Sequence, residues 1–472
     1  MRVVLAGGGS AGHIEPALAL ADALREADSS IEVTCLGTQR GLETRLVPLR
    51  GYDLELIPAV PLPRSVTPKL LAVPGRLAGA VHATGKILDR VRADVLVGFG
   101  GYVATPAYLA AKRHNVPIVV HEANPFAGIA NRLGAHLTTY VFTGQPETKL
   151  RHSRYLGLPI RRQIADLDRF ALGDKARAHF GLRPDLPVLL VFGGSQGAKS
   201  LNRALAGAAG AIRSAGVQIL HVTGPKNLGE SQPADGPLSP GPGSAGPVLA
   251  SAASNAVPYV ALPYVDRMDL AYAAADFALC RAGAMTCAEL TAVGLPAAYV
   301  PLPHGNGEQR LNALPIVQHG GGLLVEDAEL TADWIKNSLL PVLTNIDLVA
   351  GMSEAAAAMG RKDADRWLAK AVIEIVAAEQ ASRSAAPAGG EPAASQPPPA
   401  AAATRQEAQP GSLFTPHGTR QQPPGGTTPR TPRGMPDGGA SVPGRPSSGE
   451  TPRPKPPGGQ PASGGGRHRH AR

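Results

Sequence analysis

Two stretches of this 472-residue chain share one pattern: a short apolar run, a glycine-rich loop, then an amphipathic segment. Arg2–Ala6 leads into Gly7-Gly8-Gly9-Ser10-Ala11-Gly12, and Val188–Phe192 leads into Gly193-Gly194-Ser195-Gln196-Gly197-Ala198. After the first loop Ala17, Leu18, Ala21 and Leu24 share one helical face; after the second, Leu201, Leu205 and Ile212 do. A strand, a glycine loop and a helix in that order open a doubly wound sheet. Two such openings, roughly 185 residues apart, point to two Rossmann-like α/β domains facing a cleft. Further apolar runs fill both halves: Ile31–Leu36, Val95–Phe99, Ile118–His121 and Tyr140–Phe142, then Gln218–Val222, Tyr259–Leu262, Phe277–Cys280, Ala297–Val300 and Leu323–Val325. Strands this apolar on both faces belong in parallel sheets covered by helices.

Composition sets where the folded part ends. Residues 380–472 carry 19 of the 46 prolines and 16 of the 56 glycines, and Phe414 is their only aromatic residue. Such a segment buries too little apolar surface to offset its ordering entropy and is expected to be disordered. The expected organisation is an N-terminal domain over 1–157 and a C-terminal domain over 158–362. A closing helix over 363–379, built on Trp367, Leu368, Val372 and Ile375, and a basic Pro/Gly/Ala-rich tail over 380–472 complete it. Pro225–Asn255, rich in Pro, Gly, Ser and Ala, reads as a surface loop of the second domain.

The net charge of +9 is unevenly placed. The tail has 11 basic against 4 acidic residues, leaving 35 against 33 for the rest. The basic balance belongs to the tail and implies no nucleic-acid partner for the folded part. Cys35, Cys280 and Cys287 are odd in number, sit in apolar contexts and lack zinc spacing, which fits a reducing compartment. No apolar run is long enough to span a membrane, and Met1–Ala6 reaches Gly7 too soon for a signal peptide. A cytosolic protein with at most peripheral membrane contact is expected.

Gly7, Gly9 and Gly12 match the dinucleotide fingerprint, but the second strand ends in Cys35-Leu36-Gly37-Thr38 without the acid that holds a cofactor ribose. The loop is read as approaching a phosphorylated ligand other than NAD. His13 follows it at a helix start, where amide dipoles disfavour the imidazolium and suit a general base; the competing reading is a residue that orders the loop. Gly98-Phe99-Gly100-Gly101-Tyr102 and His121-Glu122-Ala123-Asn124 end two further strands, where open α/β sheets bind ligands. His121 and Glu122 are either a second catalytic pair or a hydrogen-bonded pair that orders a loop. In the second half, Arg281-Ala282-Gly283-Ala284-Met285-Thr286-Cys287-Ala288-Glu289 follows a strand with small residues that open a helix, whose free N–H groups suit a diphosphate. Glu289, one turn in, suits two ribose hydroxyls or is a solvated carboxylate. Beyond Val300-Pro301-Leu302-Pro303-His304 come Glu308-Gln309 and Asn312, where the side-chain amides can read sugar hydroxyls.

Six motifs in order, Gly7–His13, Gly100-Gly101-Tyr102, His121–Asn124, Gly193–Ala198, Arg281–Glu289 and His304–Asn312, resemble the MurG family over about residues 1–379. The resemblance implies a GT-B fold that transfers N-acetylglucosamine (GlcNAc) from UDP-GlcNAc to lipid I, an undecaprenyl-linked N-acetylmuramic acid, giving lipid II. It places acceptor binding in the N-terminal domain and donor binding in the C-terminal one. By the same resemblance Ser10, Ala11 and Gly12 line the donor diphosphate, and Asn124 lies near the donor sugar. Arg161 and Ser195 contact the donor, and the Val265 backbone reads uracil. Ala284, Met285, Thr286, Cys287, Ala288 and Glu289 hold diphosphate and ribose, and Gln309 and Asn312 hold the sugar. Ala11, Ala123 and Glu308 depart from residues frequent in the family.

The implied reaction is a single inverting displacement by the muramic C4 hydroxyl, with His13 as first candidate base and His121-Glu122 as second. No Asp-x-Asp pair ends a strand, and no metal or other cofactor is expected. A membrane-bound acceptor calls for a bilayer-facing segment, and Pro63–Arg92 fits. Leu70, Leu71, Leu77, Val81, Ile87 and Leu88 alternate there with Lys69, Arg76, Lys86 and Arg90, suiting an anionic inner-leaflet surface. The bland alternative is a core-facing helix with a solvated basic face. The expected location is the cytoplasmic face of the cell membrane. The tail is read as a passive solubilising segment, with anionic lipid and cell-wall or division proteins as alternative partners. Rival readings are another GT-B enzyme (a glycolipid glycosyltransferase or a UDP-sugar epimerase) and a non-catalytic membrane-docking subunit. Donor turnover without acceptor marks the epimerase, and loss of a glycine loop or of the Glu289 region marks the subunit.

Overall fold

Each glycine loop leaves the carboxyl end of an interior strand of a seven-stranded parallel sheet. The computed structural model of the chain describes residues 1–60, 73–194, 197–227, 239–240, 256–304 and 306–385. The expected tail beyond Ala385, most of the Pro225–Asn255 loop, Ser195, Lys69, Leu70 and Leu71 lie outside the described residues.

The strands of the first lobe are β1 (Arg2–Gly7), β2 (Glu32–Gly37), β3 (Asp53–Leu56), β4 (Val95–Gly100), β5 (Ile118–Glu122), β6 (Val141–Thr143) and β7 (Ser153–Tyr155). Their order is β3-β2-β1-β4-β5-β6-β7. Those of the second lobe are β8 (Val188–Phe192), β9 (Gln218–Val222), β10 (Ser239–Pro240), β11 (Tyr259–Leu262), β12 (Phe277–Arg281), β13 (Ala297–Val300) and β14 (Gly322–Leu324), ordered β10-β11-β9-β8-β12-β13-β14. The order reverses between β1 and β4 and again between β8 and β12, so each lobe has a switch point at which its glycine loop emerges. Helices cover both faces of both sheets, which leaves β1, β4, β8 and β12 apolar on either side.

The chain passes from one lobe to the other through Gly157–Arg161 and returns near Gly360–Ala364. The two passages pack together at Gly157, where φ is +105° and an added Cβ would lie 3.1 Å from Ala364 Cβ. The final helix, Ala364–Ala385, returns to the first lobe and buries Leu368, Val372, Ile375 and Val376 against Leu18, Leu20 and Leu24. It runs beyond the expected end because its last turns find partners: Tyr140 Oη donates to Glu379 Oε1 at 3.0 Å, and Arg383 donates to the Asn115 carbonyl. Trp367 is not part of its apolar face; the residue is 43% exposed, with the Lys370 ammonium beside its ring.

The helix Val73–Val91 corrects part of the membrane-facing expectation. Val81, Ile87 and Leu88 are buried in the first lobe, and Leu77 packs partly against them. That face belongs to the core. Arg76 and Lys86 stay exposed, and Arg90 pairs with Glu55 at 2.6 Å. None of the helices among the described residues is long and apolar enough to cross a membrane.

Candidate active site

At the first switch point the β1 and β4 loops touch backbone to backbone. Gly101 has φ +80°, and a Cβ there would meet the Gly8 carbonyl oxygen at 2.1 Å. Glu43, which sequence reasoning passed over, is fully buried beneath this loop. Its carboxylate accepts from Gly9 N at 3.1 Å, Thr38 N at 2.8 Å and Thr38 Oγ1 at 3.0 Å. The acid absent from the end of β2 thus arrives from the following helix and orders the glycine loop. The available signal was an acidic residue just beyond Thr38.

His13 sits in the first turn of the helix Ala11–Ala27, whose N-cap Ser10 makes no side-chain cap. Ser10 Oγ lies 2.9 Å from His13 Nδ1, so the hydroxyl engages the ring. The ring edge faces Gly100, whose added Cβ would stand 3.2 Å from Nε2. Burial lowers the His13 pKa, and the Glu308 carboxylate of the second lobe pulls it up. A histidine neutral near pH 7 with one nitrogen held by a hydroxyl has the make-up of a general base.

His121 and Glu122 stand differently. His121 is fully buried at the end of β5, its Nε2 2.9 Å from the Gly157 carbonyl oxygen; burial pushes its pKa down to about 4. Glu122 accepts from Asn124 N at 3.0 Å, Gly128 N at 3.0 Å and Asn131 Nδ2 at 3.0 Å. These bonds hold its pKa down against the larger effect of burial, which raises it. Both side chains are buried, His121 against the passage between the lobes and Glu122 against the 123–128 loop. Asn124 is held at the loop by this carboxylate and by Thr148, whose Oγ1 donates to its carbonyl at 3.0 Å.

In the second lobe the helix Ala284–Val293 opens at Gly283 without a side-chain cap, leaving the N–H groups at Ala284, Met285 and Thr286 turned outward. One turn in, Glu289 is 5% exposed. Arg161 Nη2 donates to its Oε1 at 2.9 Å and Tyr272 Oη to its Oε2 at 2.8 Å. Burial acts to lower the Arg161 pKa, but Glu289 and Glu15 outweigh it and hold the guanidinium charged. Arg281 is structural: it bonds the Val300 and Pro301 carbonyls, Ser200 Oγ and Asp327, tying together the ends of β12 and β13. Cys287 and Ala288 line a cavity of about 240 Å³ between the lobes, with Gly144, Leu158 and Asn312. Asn312 Nδ2 donates to the Ala282 carbonyl at 3.1 Å, while its buried Oδ1 has no partner among the described residues. Gln309 Oε1 accepts from Leu302 N at 3.0 Å. Val265 is buried beside Tyr264, and the Arg45 guanidinium of the first lobe stands 5.0 Å from the Tyr264 ring centroid.

Two parallel-sheet lobes with glycine loops at their switch points, and an uncapped helix N-terminus at the second, define a glycosyltransferase of GT-B architecture. Residues 3–143 match the glycosyltransferase family 28 N-terminal domain and residues 188–368 its C-terminal domain. The chain is 62% identical over 380 residues to a Thermobifida fusca protein, covering 80% of this chain and 96% of that one. That relative is named UDP-N-acetylglucosamine–N-acetylmuramyl-(pentapeptide) pyrophosphoryl-undecaprenol N-acetylglucosamine transferase. A Streptomyces avermitilis protein of the same name is 59% identical, covering 80% and 99%. The crystal structure of Acinetobacter baumannii MurG superposes with a TM-score of 0.61 at 26% identity, covering 79% of this chain and 99% of that one. The chain belongs to the MurG family of glycosyltransferases.

Proposed function

We propose that the chain transfers GlcNAc from UDP-GlcNAc to the C4 hydroxyl of muramic acid in lipid I, forming lipid II with inversion at the anomeric carbon. The observation that carries the reading is the uncapped helix N-terminus at Ala284 with the cation-paired Glu289 one turn inside it. Ala284, Met285 and Thr286 turn amide dipoles toward the departing diphosphate, which stabilises charge as the glycosidic bond breaks. Glu289 takes the ribose, Arg161 the phosphates, and the Val265 backbone the uracil. Asn312 Oδ1 and Gln309 take sugar hydroxyls, and Ser195 joins the diphosphate contacts. Cys287 and Ala288 shape the wall rather than bond the ligand. Ser10, Ala11 and Gly12 close the cleft from the first lobe, with Asn124 near the sugar. His13 removes the acceptor proton; His121 and Glu122 hold the loop that borders it.

A lipid acceptor calls for peripheral docking at the cytoplasmic face of the membrane. Arg76 and Lys86, exposed on the helix Val73–Val91, supply cations for an anionic surface, close in sequence to Lys69, Leu70 and Leu71.

Product analysis with UDP-GlcNAc and a soluble lipid I analogue tests the reading. A β(1→4)-linked disaccharide product is expected. Donor turnover without acceptor would make the chain an epimerase instead.

A further inference from the structure

Glu15 lies two residues after His13 on the helix Ala11–Ala27. Its Oε2 is buried and takes no hydrogen bond among the described residues, and the same holds for Arg161 Nε. These two partnerless atoms, of opposite charge, one from the first lobe and one from the passage into the second, face each other at 3.9 Å. A charge-assisted hydrogen bond needs about 2.8 Å, so the pair stands about 1 Å short of one. Arg50 Nη1 is also 3.8 Å from Glu15 Oε2, but Arg50 makes its close contact with Asp22.

We infer that Glu15 is a positioning residue for the donor, acting through Arg161. The inference rests on the reading of Arg161 and Glu289 as donor ligands. The Arg161 guanidinium commits Nη2 to Glu289, whose other oxygen is held by Tyr272. A ribose entering at Glu289 competes with that bond. Glu15 resolves the competition: its carboxylate takes Nε as the lobes close by the missing distance, which frees the Nη edge for the diphosphate and Glu289 for the ribose. A planar guanidinium suits this, since its Nε and Nη edges bond different partners at once.

The test uses the full chain, calorimetric UDP-GlcNAc binding and steady-state kinetics with a lipid I analogue. Glu15→Gln keeps the shape and removes the charge; it should raise the donor Kd about tenfold and change kcat less than about threefold. In an Arg161→Gln background the same substitution should add less than about twofold, since the interaction it removes is already gone. Glu15→Asp keeps the charge with less reach and should fall between Gln and wild type. A purely structural role in the first lobe, through Arg50, predicts instead a lower melting temperature and an effect that multiplies with Arg161→Gln. That result, or an unchanged Kd in Glu15→Gln while Glu289→Ala weakens binding, overturns the role of Glu15 alone. An unchanged Kd in Glu289→Ala overturns the donor-subsite reading and the role of Glu15 with it.

Discussion

Arg161 Nη2 donates to Glu289 Oε1 at 2.9 Å, so the carboxylate assigned to the ribose is already neutralised by a cation from the passage between the lobes. Glu289→Ala therefore does two things. It strips the ribose of a charged acceptor, and it leaves Arg161 and Tyr272 without the partner they share. Hydrogen bonds to charged groups contribute about 1.5–3 kcal/mol, so the donor KM should rise tenfold or more and thermal stability should fall. Kinetics and melting on one preparation check both; an unchanged donor KM removes Glu289 from the site.

His13→Ala should lower kcat by roughly two to four orders of magnitude and spare donor affinity, because a base acts on the proton only in the transition state. The pH profile supplies a sharper check. Burial holds His13 below its usual value of 6.5, so kcat/KM should stay flat through neutrality and fall only at lower pH, as the imidazole gains its proton. Glu308 opposes that shift, and Glu308→Gln should move the acid limb lower still. A limb that stays in place in both variants would assign the titration to another group.

The strands that sit between neighbours were legible from their apolar runs, since burial on both faces writes an unbroken signal into the sequence. The edge strands β3 (Asp-Leu-Glu-Leu) and β7 (Ser-Arg-Tyr) were not, because the half of each that is open to water keeps polar side chains, whereas the apolar edge strand β14 (Gly-Leu-Leu) was. The site divides in the same way. His13 and Glu289 follow glycine loops and announce themselves. Glu15 and Tyr272 meet partners remote in sequence, which no local pattern marks, and Glu43 is signalled only by its place just beyond Thr38. His121 shows a limit of another kind: its strand-end position left both a catalytic and a loop-ordering reading open, and its bond to the Gly157 carbonyl, far along the chain, has no local mark.

Burial of His121 has its own consequence for stability. Its pKa is about 4 in the folded chain against the ordinary 6.5. Between those values the unfolded chain binds a proton that the folded one refuses, so acid favours unfolding. The contribution is complete above about pH 6.5 and is lost as pH falls toward 4, about 3 kcal/mol in all. His221, pushed to about 3 by burial, adds to the same slope, so the measurement is a difference. Urea unfolding at about pH 7.5 and about pH 5 should show a shallower pH dependence in His121→Asn than in wild type. Equal slopes would contradict a neutral, buried His121.

Truncation separates the closing helix from the tail beyond it. A chain ending at Ala385 should retain transferase activity on a soluble acceptor analogue, since every residue assigned to the site lies at or before Asn312. A chain ending at Ala378 instead loses Glu379 and Arg383, and with them the bonds to Tyr140 Oη and the Asn115 carbonyl. It should melt earlier, by a stability difference of about 1 kcal/mol. Loss of activity in a folded chain ending at Ala385 would make the tail part of the enzyme.

Gly101→Ala tests the contact between the two loops of the first switch point. Two costs are combined at this position. With φ at +80° any side chain is strained, and a Cβ would press on the Gly8 carbonyl oxygen at 2.1 Å. Gly51 separates them, because it has φ +73° with nothing within 4 Å of an added Cβ. Gly51→Ala should therefore cost only the backbone strain, about 1 kcal/mol, and leave turnover intact. Gly101→Ala should cost more, about 2 kcal/mol or above, and should also lower kcat, because relieving the clash moves the Gly8 backbone and with it the loop that leads to His13. Melting curves and turnover on the two variants decide the matter. Equal destabilisation with equal turnover would mean that the loops can separate without disturbing the base.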